Sequence, residues 1–205
     1  MYLSRIKLNT TLRKTQLAMA SPNIFHGAIE DAFESKQERN LWRLDRLKGD
    51  YYLLVLSASE PDIKGIIDQF GYVGDVGEVK SYEPLLDRIS NDQTWRFRIV
   101  ANPTHSIKNA KGRGKVVAHS SVKYQREWLE KKAVQNGFEL REVNIASSEW
   151  KIFKKRDNNS RVRLKQTTYE GILTVKDTEA FKTALVTGIG RGKVYGMGLL
   201  TIVRV

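Results

Sequence analysis

Histidine is the side chain best suited to acid–base chemistry near neutral pH, and this sequence has three: His26, His105 and His119. None lies in an HExxH motif, and the sequence has no DxD or paired acidic cluster and no G-x-S-x-G motif. Cysteine is absent, which excludes disulfides, thiolate zinc sites and cysteine nucleophiles. We therefore expect no metal site, and proton transfer by histidine is the chemistry that remains.

His26 lies beside a predicted buried helix face. Ser21-Pro22 is a good helix start, with Ser as N-cap and Pro as the first helical residue, and it predicts a helix over 22–36. His26 is about 100° round this helix from Phe25, at the edge of the apolar stripe. It is our candidate catalytic residue, as general acid or general base; an ordinary surface histidine is the alternative. The stripe has core-facing spacing and contains Phe25, Ala28, Ile29, Ala32 and Phe33.

Glycines near the C-terminus, over 188–200, form a loop with Arg191 and Lys193 between them. Bare glycine backbone can approach phosphate closely. The loop follows a predicted helix (177–187, opened by Asp177) and precedes a predicted strand (195–205). Walker and dinucleotide motifs need the reverse order, so no nucleotide cofactor is expected. Contact with an RNA backbone is the favoured interpretation, and a plain connector is the alternative.

Positive charge is concentrated in the second half of the chain. Residues 105–165 hold 16 Lys and Arg against 6 Asp and Glu, which supplies +10 of the net +12. Such a block is typical of a polyanion-binding surface. The sequence has neither a strongly amphipathic basic helix nor an apolar run of spanning length, so a nucleic acid is preferred to a membrane. The N-terminal residues lack the apolar segment of a signal peptide, and we expect a cytoplasmic protein.

Two basic segments are candidate RNA contacts. The first, over 105–119, is predicted to be a mobile phosphate-clasping loop, with a solvated loop as the alternative. In the second, a hairpin, the strand over 161–165 alternates cations with Val162 and Leu164, so its three cations share one face. An edge hairpin kept soluble by charge is the alternative there. The cations of the two segments are Lys108, Lys111, Arg113, Lys115, Lys154, Lys155, Arg156, Arg161, Arg163 and Lys165.

The predicted elements repeat one pattern, βαββαβ, twice. The first copy has strands near 2–8, 41–47, 51–58 and 77–82, helices over 22–36 and 62–70, and a turn at Lys48-Gly49-Asp50. The second copy has strands near 95–101, 138–153, 161–175 and 195–205, with helices over 121–135 and 177–187. This order predicts an α+β protein of tandem ferredoxin-like (RRM-like) domains, over 1–90 and 94–205.

Four phrases of the sequence are distinctive: MYLSRIKL at the N-terminus, RFRIVANPTHS at 96–106, YEGILTV at 169–175 and TGIGRGKVYGMGLLTI at 187–202. Together they resemble the CasE family, the CRISPR-repeat endoribonucleases of the type I-E Cascade complex. The resemblance covers essentially the whole chain. The family fold is a tandem of ferredoxin-like domains, the same as the fold predicted above.

The resemblance implies metal-independent cleavage of precursor CRISPR RNA at the 3′ base of each repeat hairpin. The ribose 2′-OH would attack the phosphate, leaving a 2′,3′-cyclic phosphate and a 5′-OH, and the enzyme would stay on the RNA within Cascade. The family histidine falls on His26. The tyrosine that the family often has three residues earlier is Asn23 here, and an amide cannot exchange protons as a phenol does.

Charge on the phosphorane needs a cation, and Arg163 is our choice within the second hairpin. We expect residues 151–165 to track the phosphates of the RNA stem, and Arg191 and Lys193 to hold the backbone elsewhere. Two alternatives stay open: a noncatalytic RNA-hairpin-binding subunit of a CRISPR ribonucleoprotein, and a general RNA-structural protein of ribosomal type.

Overall fold

In a computed structural model of the chain, residues 1–34, 40–109, 112–154 and 160–205 are described. The contacts group the chain into two compact units. Unit 1 contains Met1–Arg88, the described part of Phe153–Arg161, and Lys193–Gly196. Unit 2 contains Ile89–Ile152, Val162–Gly192 and Met197–Val205, so far as they are described. The domain limits expected from the sequence, 1–90 and 94–205, stay a prediction.

Unit 1 is built on a four-stranded antiparallel sheet in the order β2-β3-β1-β4. This is the strand order that a βαββαβ chain adopts when both helical crossovers pack on one sheet, and it is the order of a ferredoxin-like domain. Two short helices, α1 and α4, were not predicted. The elements are β1 Tyr2–Leu8, α1 Arg13–Ala20, α2 Asn23–Glu30, β2 Leu41–Leu47, β3 Asp50–Ser57, α3 Lys64–Phe70, β4 Glu78–Ser81 and α4 Glu83–Leu86.

The hairpin between β2 and β3 turns where the sequence predicts, but through two residues, Lys48 and Gly49, because Asp50 already belongs to β3. Lys48 and Gly49 both have positive φ, 51° and 94°. Positive φ at both central residues is the geometry that matches the right-handed twist of the paired strands. The turn fixes the register, with Leu47 opposite Asp50 and Trp42 opposite Val55. Trp42 is thereby placed in the core.

The core of unit 1 lies between this sheet and helices α2 and α3. Phe25 of α2 is fully buried, and its ring centroid lies 5.8 Å from that of Trp42 and 5.0 Å from that of Phe70. Tilted aromatic pairs at these distances pack favourably. Ile6, Leu8, Ile29, Leu53, Val55, Ile66 and Ile67 complete the apolar layer around them.

Unit 2 has a second four-stranded sheet, in the order β10-β5-β9-β8, which is again the ferredoxin-like order. The predicted fold class, a tandem of ferredoxin-like domains, is therefore confirmed. The remaining elements are β5 Thr94–Ala101, β6 Thr104–Asn109, β7 Gly112–Ala118, α5 Val122–Gln135, β8 Phe138–Lys154, β9 Arg161–Val175, α6 Thr178–Thr187, a 3₁₀ turn Lys193–Tyr195, and β10 Leu200–Arg204.

Over the segment 105–119, where we predicted a loop, Thr104–Asn109 (β6) and Gly112–Ala118 (β7) form a β-hairpin. Strands β6 and β7 pair antiparallel, with His105 opposite Val117 and Ser106 opposite Val116. Its glycine and lysine content suggested a loop, but the β-branched Val116 and Val117 favour extended backbone. The hairpin is an insertion between β5 and α5.

Two predicted element limits were wrong by several residues. The last strand begins at Leu200 and not at 195, because Gly196 and Gly198 have φ of 76° and 94°, which a strand does not accommodate. Helix α2 ends at Glu30, after which Phe33 donates its N–H to the Glu30 carbonyl, a tighter i→i+3 bond. In addition, Ser21 does not cap α2 with its side chain. The predicted cap of α6 is confirmed, since Asp177 accepts from the Ala180 N–H at 3.0 Å.

None of the helices in the described ranges is long and apolar enough to cross a membrane.

Candidate active site and nucleic-acid interface

His26 lies on the partly exposed side of α2. Its neighbour Phe25 is fully buried, whereas the His26 side chain is 29 % exposed. The backbone N–H of His26 donates to the Pro22 carbonyl at 3.2 Å, so its backbone is held within the first turns of the helix. The predicted position at the edge of the apolar face is therefore observed, and the imidazole is accessible to a ligand in solution.

Glu30 contacts the His26 imidazole one turn further along α2. The distance from His26 Nε2 to Glu30 Oε1 is 3.2 Å, and the Glu30 side chain is 44 % exposed. Residues four apart lie on the same helix face, which is why the two side chains meet. A carboxylate at Nε2 restrains the ring orientation and accepts an N–H at that atom. We did not single out Glu30 from the sequence, although its i+4 spacing from His26 is a usable signal.

Asn23, the first residue of α2, has a local partner. The Ser21 hydroxyl donates to Asn23 Oδ1 at 2.6 Å, so the serine predicted as a cap holds the asparagine amide instead. With its oxygen bound to Ser21, the Asn23 amide nitrogen is the group that remains to donate to a substrate. Asn23 thus has an ordered side chain without the proton-exchanging group of a tyrosine.

The 3₁₀ turn Lys193–Tyr195, in the glycine-rich loop, packs against α2 and β2 within unit 1. The next residue, Gly196, lies against the Trp42 ring, and a Cβ there would stand 2.7 Å from Trp42 Cζ3. The close approach and the positive φ of 76° both require glycine at this position. Lys193 is therefore carried by a turn that packs beside the helix of His26.

Part of the basic hairpin also belongs to unit 1. Phe153 of β8 is buried and contacts Tyr195 edge to face, with ring centroids 5.0 Å apart. Lys154 and Arg161, on either side of the hairpin end, are exposed members of the same unit. Unit 1 thus contains His26 and three of the predicted RNA-binding cations, Lys154, Arg161 and Lys193.

Arg163 and Lys165 lie on β9 in unit 2 and share one aromatic partner. The Arg163 guanidinium carbon is 3.9 Å from the centre of the Trp150 ring, and Lys165 Nζ is 5.3 Å from it. Trp150 is 39 % exposed. A guanidinium stacked on a ring keeps its in-plane N–H groups available for phosphate. Trp150 was not singled out from the sequence, since a tryptophan in a strand usually reads as core.

Lys165 differs from the sequence-based expectation in its exposure. The alternation of β9 places it on the same strand face as Arg163, but only 7 % of it is exposed. Its ammonium donates to the Ser148 carbonyl at 3.2 Å, and its backbone N–H donates to Asn102 Oδ1 at 3.3 Å. These contacts explain how a charged side chain is tolerated there.

The other predicted RNA contacts are distributed over unit 2. Lys108 and Lys115 are exposed on the β6–β7 hairpin, and exposed Arg191 forms an isolated antiparallel bridge with Asn102. Lys111, Lys155 and Arg156 lie outside the described residues, as does the side chain of Arg113. Within the described ranges, no group of three or more His, Cys, Asp or Glu side chains could hold a metal ion.

The tandem ferredoxin-like units define the structural class, and comparisons with known proteins identify the family. The model of the family described as "CRISPR associated protein" matches residues 1–204, and the chain belongs to this family. It is 32 % identical to the CRISPR-associated endoribonuclease Cse3 of Thermus thermophilus, with 98 % of this chain and 99 % of that protein aligned.

Solved structures show the same relationship. The CRISPR endoribonuclease Cse3 bound to a 19 nt RNA superposes with a TM-score of 0.82 at 28 % identity, covering 99 % of this chain and 100 % of that one. A chain of a CRISPR RNA-guided surveillance complex in a pre-nicking state superposes with a TM-score of 0.76 at 23 % identity over the whole of both chains. The second likeness shows the fold alone.

Proposed function

We propose that this protein is a metal-independent endoribonuclease that cleaves precursor CRISPR RNA at the 3′ base of the repeat hairpin. The observation that carries the proposal is the position of His26. It lies on the accessible side of a helix whose other side is anchored in the core by Phe25, and the Lys193–Tyr195 turn packs beside that helix. The end-to-end similarity to a CRISPR-associated endoribonuclease supports the same activity.

The proposed reaction is an internal transfer at one phosphodiester. The 2′-oxygen of the upstream ribose attacks phosphorus, and the bond from phosphorus to the 5′-oxygen breaks. The 2′-OH loses its proton, and the leaving 5′-oxygen gains one. The products are a 2′,3′-cyclic phosphate and a 5′-OH, with no water consumed. His26 takes the proton from the 2′-OH or gives one to the 5′-oxygen, a contribution of about 10²–10⁴-fold when the group is well positioned.

Charge that develops on the nonbridging oxygens requires a nearby cation. We keep Arg163 as the proposed source, since its stacking on Trp150 at 3.9 Å restrains the guanidinium before RNA binds. Lys193 is the second candidate, because its turn packs against the helix of His26. A fixed cation stabilises a transition state better than a mobile one, which favours side chains held by packing.

The remaining cations are proposed to bind the RNA backbone. Exposed side chains on the two hairpins suit the phosphates that line the deep groove of an A-form stem. Each contact that neutralises a phosphate makes the affinity more sensitive to salt. The proposed contacts in the described ranges are Lys108, Lys115, Lys154, Arg161, Arg191 and Lys193. Lys111, Arg113, Lys155 and Arg156 are proposed from the sequence alone. Lys165 was expected among them, but it is buried and its ammonium already donates to the Ser148 carbonyl.

We further propose that the protein stays on the cleaved hairpin as a subunit of a Cascade-type ribonucleoprotein. This follows from the family resemblance. The cytoplasmic location expected from the sequence stays a prediction.

Product analysis tests the activity. A cognate repeat RNA is incubated with the protein in EDTA, and the fragments are identified by mass. One cut at the stem base that leaves a 2′,3′-cyclic phosphate and a 5′-OH is expected. Tight binding of the intact RNA with no fragments would overturn the nuclease proposal in favour of a noncatalytic hairpin-binding subunit. The observation that favours this alternative is Asn23, which stands where the family often has tyrosine. Equal binding to unrelated RNA stems would indicate a general RNA-binding protein.

A further inference from the structure

Unit 2 contains an open cleft of about 360 Å³ that the proposed reaction does not use. It lies where the β6–β7 hairpin, helix α5 and the glycine-rich loop meet. The lining residues that matter here are His105, Ser106, Trp128, Lys132, Gly190 and Arg191. Its volume is within the range of sites for a single small ligand.

The cleft is cationic. Lys132 and Arg191 contribute to its wall, and none of the lining residues is acidic. Lys132 donates one ammonium hydrogen to Gln135 Oε1 at 2.8 Å, which holds the side chain in place. An ammonium group has three hydrogens, so two are left for a ligand. A wall with two cations, a serine hydroxyl and no carboxylate suits a phosphate group.

The backbone beneath Arg191 is fixed by close packing. Gly190 has a φ of 85°, and a Cβ at this position would lie 3.0 Å from Trp128 Cζ2. Trp128 is itself buried and lines the cleft. The backbone at Arg191 is therefore held on two sides, by the packing of Gly190 on Trp128 and by the bridge to Asn102. This fixes the position of the Arg191 Cα.

An aromatic column ends at the cleft. His105 stacks on His119 with ring centroids 4.3 Å apart and planes inclined by 25°, and Tyr124 lies 5.8 Å beyond His119. The Gln125 amide holds the His119 carbonyl at 3.0 Å. Burial, assisted by the charges of His105 and Lys131, lowers the pKa of His119, which favours the uncharged ring. The exposed end of the column is His105, which lines the cleft.

We infer that this cleft binds one unpaired nucleotide of the RNA, with its phosphate between Lys132 and Arg191 and its base stacked on His105. Phosphate recognition by cations and base stacking on a ring are the two parts of single-strand binding. A base paired within a stem has no exposed face to offer, so the nucleotide lies outside the duplex. The inference rests on the proposed RNA-processing function and adds a second contact region to it.

The phosphate half is tested with matched helix variants. Lys132→Ala removes a cleft charge, whereas Lys182→Ala removes the same charge from helix α6, at a position that does not line the cleft. Wild-type protein and both variants are titrated with repeat RNA, flanking nucleotides included, at several salt concentrations. We expect Lys132→Ala to raise Kd about tenfold. It should also lower the slope of log Kd against log salt by roughly 0.7–0.9, the change expected for the loss of one phosphate contact.

A methylphosphonate scan then locates the contact. Linkages in the flanking nucleotides are neutralised one at a time, and we expect one of them to weaken binding by the wild-type protein. Neutralising that same linkage should leave the Kd of the Lys132→Ala variant unchanged. The base half is tested with an abasic nucleotide next to this linkage. His105→Ala should raise Kd roughly fivefold or more for intact RNA but not for the abasic RNA, while His105→Phe should restore binding.

The outcomes separate the two claims. If wild-type protein neither binds nor cleaves repeat RNA, the proposed function fails. If wild type binds and cleaves but Lys132→Ala keeps its affinity and salt slope, or no flanking linkage is sensitive, the cleft is not a nucleotide site and the function stands. If free mononucleotide at micromolar concentration competes for the cleft, its ligand is a small molecule and the RNA assignment is overturned.

Discussion

The backbone of Gly196 lies against the six-membered ring of Trp42, so close that a Cβ on the glycine would stand 2.7–2.9 Å from three ring carbons. Trp42 in turn packs on Phe25, the residue before His26. One continuous set of contacts therefore links the end of the glycine-rich loop to the helix that carries the proposed catalytic histidine. This explains structurally why glycine and a large aromatic side chain occur together here.

Replacement of Gly196 by alanine is expected to destabilise the protein. The added methyl would collide with a buried ring and sit on a backbone at positive φ, so the free energy of unfolding should fall by about 2 kcal/mol. Denaturant unfolding measures the change. Gly65→Ala is the matched control, because nothing lies within 4 Å of a Cβ at that helical position. It should be neutral or stabilising by up to about 1 kcal/mol. Equal stability of Gly196→Ala and wild type would contradict the packing described.

Replacement of Arg163 by alanine is expected to slow cleavage at saturating protein. If Arg163 supplies the proposed transition-state charge, its loss should lower the single-turnover rate by at least about tenfold, beyond any change in RNA affinity. Lys193→Ala is measured beside it. If Lys193→Ala shows the loss of rate and Arg163→Ala changes only Kd, the stabilising role belongs to Lys193.

Replacement of Glu30 by alanine is expected to have a small effect. The contact to His26 is a partly exposed i,i+4 pair, for which about 0.2–0.5 kcal/mol is typical, so the single-turnover rate should fall about twofold. Glu30→Gln keeps an oxygen that accepts from Nε2 and should retain most of the rate. A loss above about tenfold in both variants would mean that the carboxylate takes part in proton transfer and does more than restrain the ring.

Replacement of Tyr82 by phenylalanine is expected to improve stability at high pH. Burial raises the pKa of Tyr82 to about 12, with Arg43 acting in the opposite direction. An unfolded tyrosine has a pKa of about 10, so between pH 10 and 12 unfolding releases a proton and wild-type stability falls as pH rises. Below pH 10 the tyrosine is protonated in both states and costs no stability, and in the phenylalanine variant the loss above pH 10 does not occur.

The same substitution should be tolerated at pH 7. The buried Tyr82 hydroxyl has no hydrogen-bond partner among the described residues, so its removal leaves no partner unpaired. Unfolding free energies at pH 7, 10 and 11.5 test both points, with Tyr124→Phe as the exposed control. A pH dependence identical to wild type in Tyr82→Phe would contradict the assignment.

Much of the fold was predictable because its signals are local. The turn at Lys48-Gly49, the Asp177 cap and the alternating strands are properties of a few neighbouring residues, and the βαββαβ order then limits the sheet topology. The β6–β7 hairpin was missed because glycine and lysine content outweighed two valines. The late start of β10 was missed because glycine φ values depend on the surroundings.

The candidate site was predictable only in part. His26 could be placed from helix periodicity, since the position of a residue relative to Phe25 follows from the helix itself. The partners of the cations could not be placed in this way. The contacts of Arg163 with Trp150, and of the Lys193 turn with α2, join residues far apart in the chain, and no local pattern encodes them.

The most direct test of the central claim is single-turnover cleavage of the cognate repeat hairpin in EDTA. Wild type and His26→Ala are compared on the all-RNA hairpin and on a copy with one 2′-deoxy nucleotide at the scissile position, with Kd measured for each pair. We expect wild type to cut the all-RNA hairpin once at the stem base, and the deoxy copy to bind and stay intact. His26→Ala should bind normally and cleave at least about 10²-fold more slowly. Cleavage by His26→Ala at the wild-type rate would contradict the assignment of His26, and cleavage of the deoxy copy would contradict the 2′-OH mechanism.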